Sequence, residues 1–225
     1  MSVASFAHRR RRLVVAGLLS ALLGACSSTS GQMPSQGAIA DPYEVQNRKI
    51  FAANQKLKGP RTRRDKAPGP LQTVLHNVST NLSMPQVAVN SLLQGDLRGT
   101  GLALHRFSVN SVLGMGGMVD AASEFGVPTH DTDFGETLHV WGVGEGAYLV
   151  LPIVGSTTQR DLAGRVVDVF TDPLSYRLPE KERTVITGIG LADQVVNRSS
   201  QPDTYEAARD AHVQRRRAEV SSRRN

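Results

Sequence analysis

Twelve of the chain's twenty-one glycines fall between Gly95 and Gly155, and they gather in two apolar blocks, Leu113-Gly114-Met115-Gly116-Gly117-Met118 and Trp141-Gly142-Val143-Gly144-Glu145-Gly146. Each glycine in a helix interior costs about 1 kcal/mol relative to alanine, so such a density needs a reason. One reason is sharp turns and close backbone packing between short apolar helices, a style that membrane proteins use heavily. The other is a phosphate cradle, since Gly142, Gly144 and Ala147 fit a loose G-x-G-x-x-G/A pattern with Thr137 to Trp141 as a preceding strand. That pattern requires a helix after the glycines, whereas Tyr148-Leu149-Val150-Leu151 runs directly into Pro152. No nucleotide cofactor is therefore expected.

Elsewhere the spacing is helical. Asp41-Pro42 reads as an N-cap followed by a proline in the first turn, where a missing N–H costs nothing. Tyr43, Ile50 and Leu57 then recur every seven residues, with Asn47 and Asn54 on a neighbouring stripe. The stretch from Lys58 to Pro70, made of glycine, proline and basic residues, reads as a loop. Leu71, Val74, Leu75, Val78 and Leu82 return to helical spacing, and Pro85 restarts a helix that ends near Gly95. Asp96 caps a further helix through Arg106 and Phe107 to about Leu113. Capping boxes at Asp133 with Glu136, Ser156 with Gln159 and Asp203 with Glu206 mark three later starts. Two-residue alternation is confined to Leu138 to Trp141, and no hairpin dipeptide occurs. The expectation is a mostly α-helical domain and not a β-barrel.

The N-terminus decides the compartment. Arg9 to Arg12 precede an apolar run from Leu13 through Leu23, then Gly24, Ala25 and Cys26, the layout of a secretory signal. The apolar run is far short of the roughly 20 residues needed to cross a bilayer. The longest later run, Ala147 to Gly155, is broken by Pro152. Leu23-Gly24-Ala25-Cys26 resembles a bacterial lipobox, which implies cleavage before Cys26 and acylation of its sulfur and its new amino group. The alternative is an ordinary signal peptide with a chance cysteine, although a lone cysteine cannot form an intramolecular disulfide in an oxidising compartment. Ser27 in place of aspartate follows the sorting pattern for the outer membrane. Residues 26–40, rich in Ser, Gly, Gln and Pro, read as a flexible linker from the lipidated cysteine. Removing the four signal arginines lowers the net charge from +6 to +2. What stays basic is local, around Arg61 to Lys66 and from Arg209 to Arg224. Such runs suit solvated faces, or contact with anionic headgroups or an acidic partner. No nucleic-acid partner is expected in this compartment.

Reaction chemistry finds little support in the sequence. His130, Asp131, Asp133, Glu136 and His139 form one patch in which Glu136 and His139 share a helix face, but the spacing matches no zinc motif. Asp133 and Glu136 are explained by capping. There is no G-x-S-x-G, and Cys26 is consumed by acylation. Neither an enzyme, a metal nor a cofactor is called for.

Several ordered blocks carry a family resemblance. They are Asp41-Pro42-Tyr43-Glu44 with Asn47-Arg48 and Phe51; Asn81-Leu82 with Pro85; Asn90-Ser91-Leu92-Leu93-Gln94-Gly95; Arg106-Phe107 with Asn110-Ser111; and Leu113-Gly114-Met115-Gly116-Gly117 with Asp120. They continue with Asp133-Phe134-Gly135-Glu136-Thr137-Leu138, Trp141 to Gly146, Leu149 to Pro152, Gly155-Ser156, Arg160-Asp161 and, near the end, Tyr205, Arg209-Asp210 and Gln214-Arg215-Arg216. Over about 41–217 the chain resembles the MlaA/VacJ lipoproteins. It departs from them between about Gln55 and Val74, and again from Lys181 onward.

The resemblance implies an all-α fold, a ring-like arrangement of short amphipathic helices lying in one leaflet of the outer membrane, beside a trimeric porin. Mislocalised phospholipid would leave the outer leaflet through a central channel and pass to a soluble periplasmic lipid-binding protein. The expected organisation is a signal peptide over 1–25, the linker over 26–40, the helical domain over 41–217 and a basic tail over 218–225. Cys26 is the expected anchor, on the periplasmic face. Asn47, Arg106, Asn110 and Glu145 are the polar candidates for the path, or else hydrogen-bonding packing groups. Gly114, Gly116, Gly117, Gly142, Gly144 and Gly146 are the candidate turns or hinges of the channel wall, and on this reading Gly144→Val abolishes function. A structural envelope lipoprotein or porin-associated scaffold explains the anchor and tail equally, but not the glycine blocks. A phospholipase would need a nucleophile and base that the motifs do not supply.

Overall fold

Asp41 does not cap the first helix. In the computed structural model, which describes residues 38–57, 69–172, 184, 188 and 202–222, helix α1 (Glu44–Lys56) starts after Tyr43 with no side-chain cap. The Asp41 carboxylate is engaged elsewhere, accepting hydrogen bonds from Asn47 Nδ2 and from the Tyr205 hydroxyl. The seven-residue stripe is real but only its middle member, Ile50, packs against the core. Tyr43 and Leu57 are exposed, while Asn47 and Phe51 are the buried residues of α1.

The chain divides into two units, residues 1–38 and 39–225. The first lies outside the described residues apart from Ala38, and with it lie the expected signal peptide, Cys26 and most of the linker. Residues 58–68 of the expected basic loop also lie outside them.

Helix α2 (Pro70–Leu93) has Pro70 in its first turn and runs unbroken through Pro85. A new start at Pro85 is therefore not what occurs. Met84, Val87 and Ala88, on both sides of the proline, pack with Ala103 and Phe107 of the next helix, which holds the two halves in line. That next helix, α3 (Leu97–Val112), is capped as expected, with the Asp96 carboxylate accepting from Gly99 N at 2.7 Å. The short α4 (Ala121–Glu124) is capped by Asp120 and α5 (Phe134–Val140) by Asp133.

A small hairpin follows that no sequence signal announced. Strands β1 (Tyr148–Leu151) and β2 (Gly155–Thr158) are antiparallel, with Tyr148 opposite Thr158 and Leu151 opposite Gly155. Its connection is Pro152-Ile153-Val154, with Ile153 at φ 62° and Val154 N donating to Pro152 O. It lacks the Asn-Gly type of dipeptide that favours two-residue turns. Strand β2 is polar yet wholly buried, so it shows no alternation. Leu138 to Trp141, the stretch that did alternate, is the end of α5.

Helix α6 (Gln159–Thr171) is capped by Thr158, not Ser156, because the Ser156 hydroxyl is paired with the Tyr148 hydroxyl at 2.7 Å. Helix α7 (Tyr205–Ser222) continues past residue 217 with Val220 buried, so at least 218–222 belong to the helix and not to a free tail. The described residues are thus mostly helical. One core joins α1, the hairpin and α7 through Phe51, Tyr148, Val150, Tyr205, Ala208 and Val213, and the other joins α2 to α3.

Candidate functional site

In two helices of this molecule burial is inverted relative to a water-soluble domain. Among the described residues, 14 polar or charged residues are buried beside 15 apolar ones, while 21 large apolar residues are exposed. The inversion is organised by helix. On α3 the buried positions are Gly99, Ala103, Arg106 and Asn110, and the outward ones include Leu97 (72% exposed), Leu104 and Val112 (78%). On α6 Arg160, Asp161 and Gly164 are buried, with Val166, Val169 (70% exposed) and Phe170 outside. No described helix is long and apolar enough to cross a membrane.

The interior is a connected polar network. Gln86 and Asn90 of α2 and its C-cap residue Gln94 recur every fourth residue along one face. Gln86 Nε2 and Asn90 Nδ2 both donate to Asp168 Oδ1 on α6, at 2.7 and 2.8 Å. Gln94 Nε2 reaches the hydroxyls of Thr132 and Thr137 at 2.8 and 2.9 Å. Thr132 then donates to Glu136, whose other oxygen accepts from Arg216 of α7. The Arg216 guanidinium also grips Asp133 at 2.6 Å and Asp161 at 3.0 Å. Burial works against this guanidinium, but Asp133 and Asp161 more than offset it and hold its pKa above the usual arginine value. Burial alone would likewise raise the Asp161 carboxyl, yet Arg216, Arg160 and the Thr158 hydroxyl hold it below the ordinary carboxylate value.

Two glycines make this network possible. A Cβ on Gly164 would lie 2.3 Å from Gly135 N, so only hydrogens at both positions let α5 and α6 approach this closely.

The four polar residues singled out from sequence fall into groups that share no hydrogen-bond partner. Asn47 serves the hairpin, its Nδ2 donating to Tyr148 O at 3.1 Å and its Oδ1 accepting from Val150 N at 2.9 Å. Asn54, two turns on, does the same for Leu151 O and Ile153 N. Arg106 and Asn110 come together on Asp120. Arg106 also donates to Val127 O, and Asn110 Oδ1 accepts from Ala122 N. Burial would raise the Asp120 carboxyl, but Ser123, Asn110 and Arg106 keep it below its ordinary value. Glu145 pairs with Arg217 of α7 at 2.5 Å.

The candidate glycines also differ. Gly117 has φ +93°, and a Cβ there would meet the Asn81 side chain at 2.6 Å; one on Gly114 would meet Val119 O at 2.2 Å. Gly116, Gly142 and Gly146 have positive φ, and Gly146 is crowded by Gln159. Gly144 has open space around its Cβ position and no left-handed φ, so the structure gives no steric reason for glycine there.

Sequence reasoning did not single out Asp168, Arg216, Gln86, Asn90, Gln94 or Asp161. The four-residue spacing of the three α2 amides was the available signal for half of them. Ser91, His130 and Asp96 do converge, with His130 Nε2 2.9 Å from Ser91 Oγ and 3.6 Å from Asp96 Oδ2. Both contacts use the same ring nitrogen, whereas a relay needs both nitrogens, and Ser91 is fully buried. Elsewhere in the His130–His139 patch weighed as a metal site, His139 Nδ1 lies 3.4 Å from Arg160 Nη1. Among the described residues no three His, Cys, Asp or Glu side chains form a metal-binding group.

Comparison with known proteins bears on this architecture. The model of the MlaA lipoprotein family matches residues 39–219. The Escherichia coli intermembrane phospholipid transport system lipoprotein MlaA is 33% identical over 222 residues, covering 91% of this chain and 86% of that one. The protein of that name from Haemophilus influenzae is 40% identical over 103 residues, 45% of this chain and 41% of that one. A solved structure concerned with maintenance of bacterial outer membrane lipid asymmetry superposes with a TM-score of 0.62 at 30% identity, covering 78% of this chain and 96% of that one.

Proposed function

The chain belongs to the MlaA lipoprotein family, and on that premise we propose that it removes mislocalised phospholipid from the outer leaflet of the outer membrane and passes it towards a soluble periplasmic carrier. At the family level it is an outer-membrane lipoprotein of a phospholipid transport system and not an enzyme. In the proposed arrangement Cys26 anchors the chain at the periplasmic face, beside a trimeric porin. The helices of 39–222 ring a polar passage within one leaflet.

The observation that supports this reading is the inverted burial of α3 and α6. Outward Leu, Val and Phe side chains suit acyl chains, and a buried network of amides, carboxylates and guanidinium groups suits a polar headgroup. Moving a lipid needs such a path and no bond-making residue. The Arg106–Asp120–Asn110 group, with Gly114 and Gly117 beside it, fixes the turn after α3. The Glu145–Arg217 pair fixes the turn after α5 to α7. Both are therefore assigned to the wall of the passage.

The test is the phospholipid content of the outer leaflet in cells lacking the protein, with the wild-type chain or Cys26→Ala supplied back. Accumulation that only the anchored form clears is the expected result. Unchanged outer-leaflet phospholipid in the deletion would replace transport with the scaffold reading.

A further inference from the structure

Carboxylates that leave water normally take a cation with them. The buried Glu136 and Asp161 do so here, and the partly exposed Asp120, Asp133 and Glu145 are paired likewise, each within ion-pair distance of an arginine. Among the described residues Asp168 is the exception. Its Oδ1 accepts from the amides of Gln86 and Asn90, and its Oδ2 accepts from Phe134 N at 3.1 Å. All three donors are neutral, and the charged neighbour it feels is the like-signed Asp133. Burial accordingly pushes its carboxyl above the ordinary value.

A second, separate observation lies on the same amide. Gln86 Oε1 is buried and, among the described residues, has no hydrogen-bond partner, while its Nε2 is shared between Asp168 and the Thr171 hydroxyl at 2.9 Å. A carboxylate without a cation, an orphaned carbonyl and a hydroxyl thus lie on two helices, α2 and α6, that these side-chain hydrogen bonds join. The residues that follow, Val169 and Phe170, are exposed and apolar. The site therefore marks a border between the polar interior and the apolar exterior, where a molecule with a charged head and acyl chains has both ends accommodated.

We propose that Asp168, positioned by Gln86 and Asn90, receives the primary ammonium of an aminophospholipid headgroup, and that the chain thereby prefers ethanolamine headgroups over choline and over anionic glycerol ones. This deepens the transport reading and rests on it. A primary ammonium brings one positive charge and three N–H donors, matching the missing charge and the unpaired Gln86 carbonyl. A quaternary ammonium brings the charge without the donors. An anionic headgroup brings neither and meets Asp168 with like charge.

The experiment uses the full lipidated chain purified in detergent from its membrane, with retained phospholipids quantified against the membrane's own composition. Ethanolamine lipid is expected at roughly threefold enrichment, the factor a partly exposed ion pair supports. In Asp168→Asn the composition should match the membrane's own; an identical enrichment in wild type and variant overturns the proposal. Should the variant not accumulate, the wild type is equilibrated in micelles doped equally with ethanolamine, choline and glycerol phospholipids. Retention in the order ethanolamine, choline, glycerol is expected, and equal retention overturns the proposal while leaving transport standing. Retention of no phospholipid at all overturns both.

Discussion

An asparagine side chain carries a donor and an acceptor spaced like a peptide unit, and α1 uses two of them, Asn47 to close the outer edge of β1 and Asn54 to hold the end of β1 and the turn after it. An open strand edge leaves N–H and C=O groups unpaired, so these amides stand in for a third strand. Asn47→Ala leaves Val150 N and Tyr148 O without their partners inside a buried core, which costs about 1 to 3 kcal/mol. For a domain of this size each kcal/mol lowers Tm by about 2 to 4 °C. The expected result is a lower melting point by circular dichroism, with lipid clearance falling only as the amount of folded protein falls. His212 gives a second residue-level prediction. Burial first, then Arg215, lowers its pKa from 6.5 to about 4. Its folded pKa lies below its unfolded one, so the neutral imidazole contributes stability above pH 6.5 that is lost as the pH falls towards 4. The loss is on the order of 3 kcal/mol by linkage. His212→Phe should flatten that part of the stability–pH curve. An unchanged slope between pH 6.5 and 4 would show that the carboxylates around Arg216 carry the acid sensitivity instead.

The helix pair α5–α6 depends on hydrogen in place of a side chain at Gly135 and Gly164, so Gly164→Ala forces backbone apart and should destabilise by about 1 to 3 kcal/mol. Gly144→Val meets no neighbour and should melt like the wild type, so the loss of function expected for it from the sequence has to appear as lost lipid clearance by a folded protein. Equal melting points for the two variants would contradict the close approach of α5 to α6. The contrast between these glycines was not legible in the sequence, because proximity of Gly135 to Gly164 is a long-range fact. What was legible was local. The Asp96 and Asp133 caps lie within three residues of the N–H groups they satisfy, and both are where the spacing put them. The Asp41 cap failed because Tyr205, far along the chain, claims that carboxylate. The hairpin stayed hidden because β2 is buried among polar partners, so no alternation remained to read. The stripe of Tyr43, Ile50 and Leu57 has true helical period, yet period alone does not say whether the stripe faces protein or lipid. The same ambiguity explains why Asp168 and Arg216 were passed over, since an interior made of polar groups looks in sequence like a solvated face.

For the molecule as a whole, the inverted burial makes a claim about surroundings that one residue can report. Trp141 is the only tryptophan in the chain. It is 55% exposed, stacks edge-on against Phe134 and donates its Nε1–H to Leu93 O at 3.2 Å. With that N–H satisfied by the protein, the exposed part of the indole can enter an apolar medium without stranding a donor. Its neighbours Leu92, Leu93, Val140 and Val143 are likewise exposed. In water this cluster would favour aggregation; at a bilayer it is an anchor, with the indole near the level of the headgroups. The anchored protein in vesicles should therefore show blue-shifted tryptophan emission. Bromine near the top of the acyl chains should quench it more strongly than bromine near the bilayer centre. Stronger quenching from the centre would bury this face deeper than an interfacial protein allows. No quenching from either depth would mean that Trp141 faces water or another protein, and the outward apolar surfaces of α3 and α6 would then need a protein partner and not lipid to cover them.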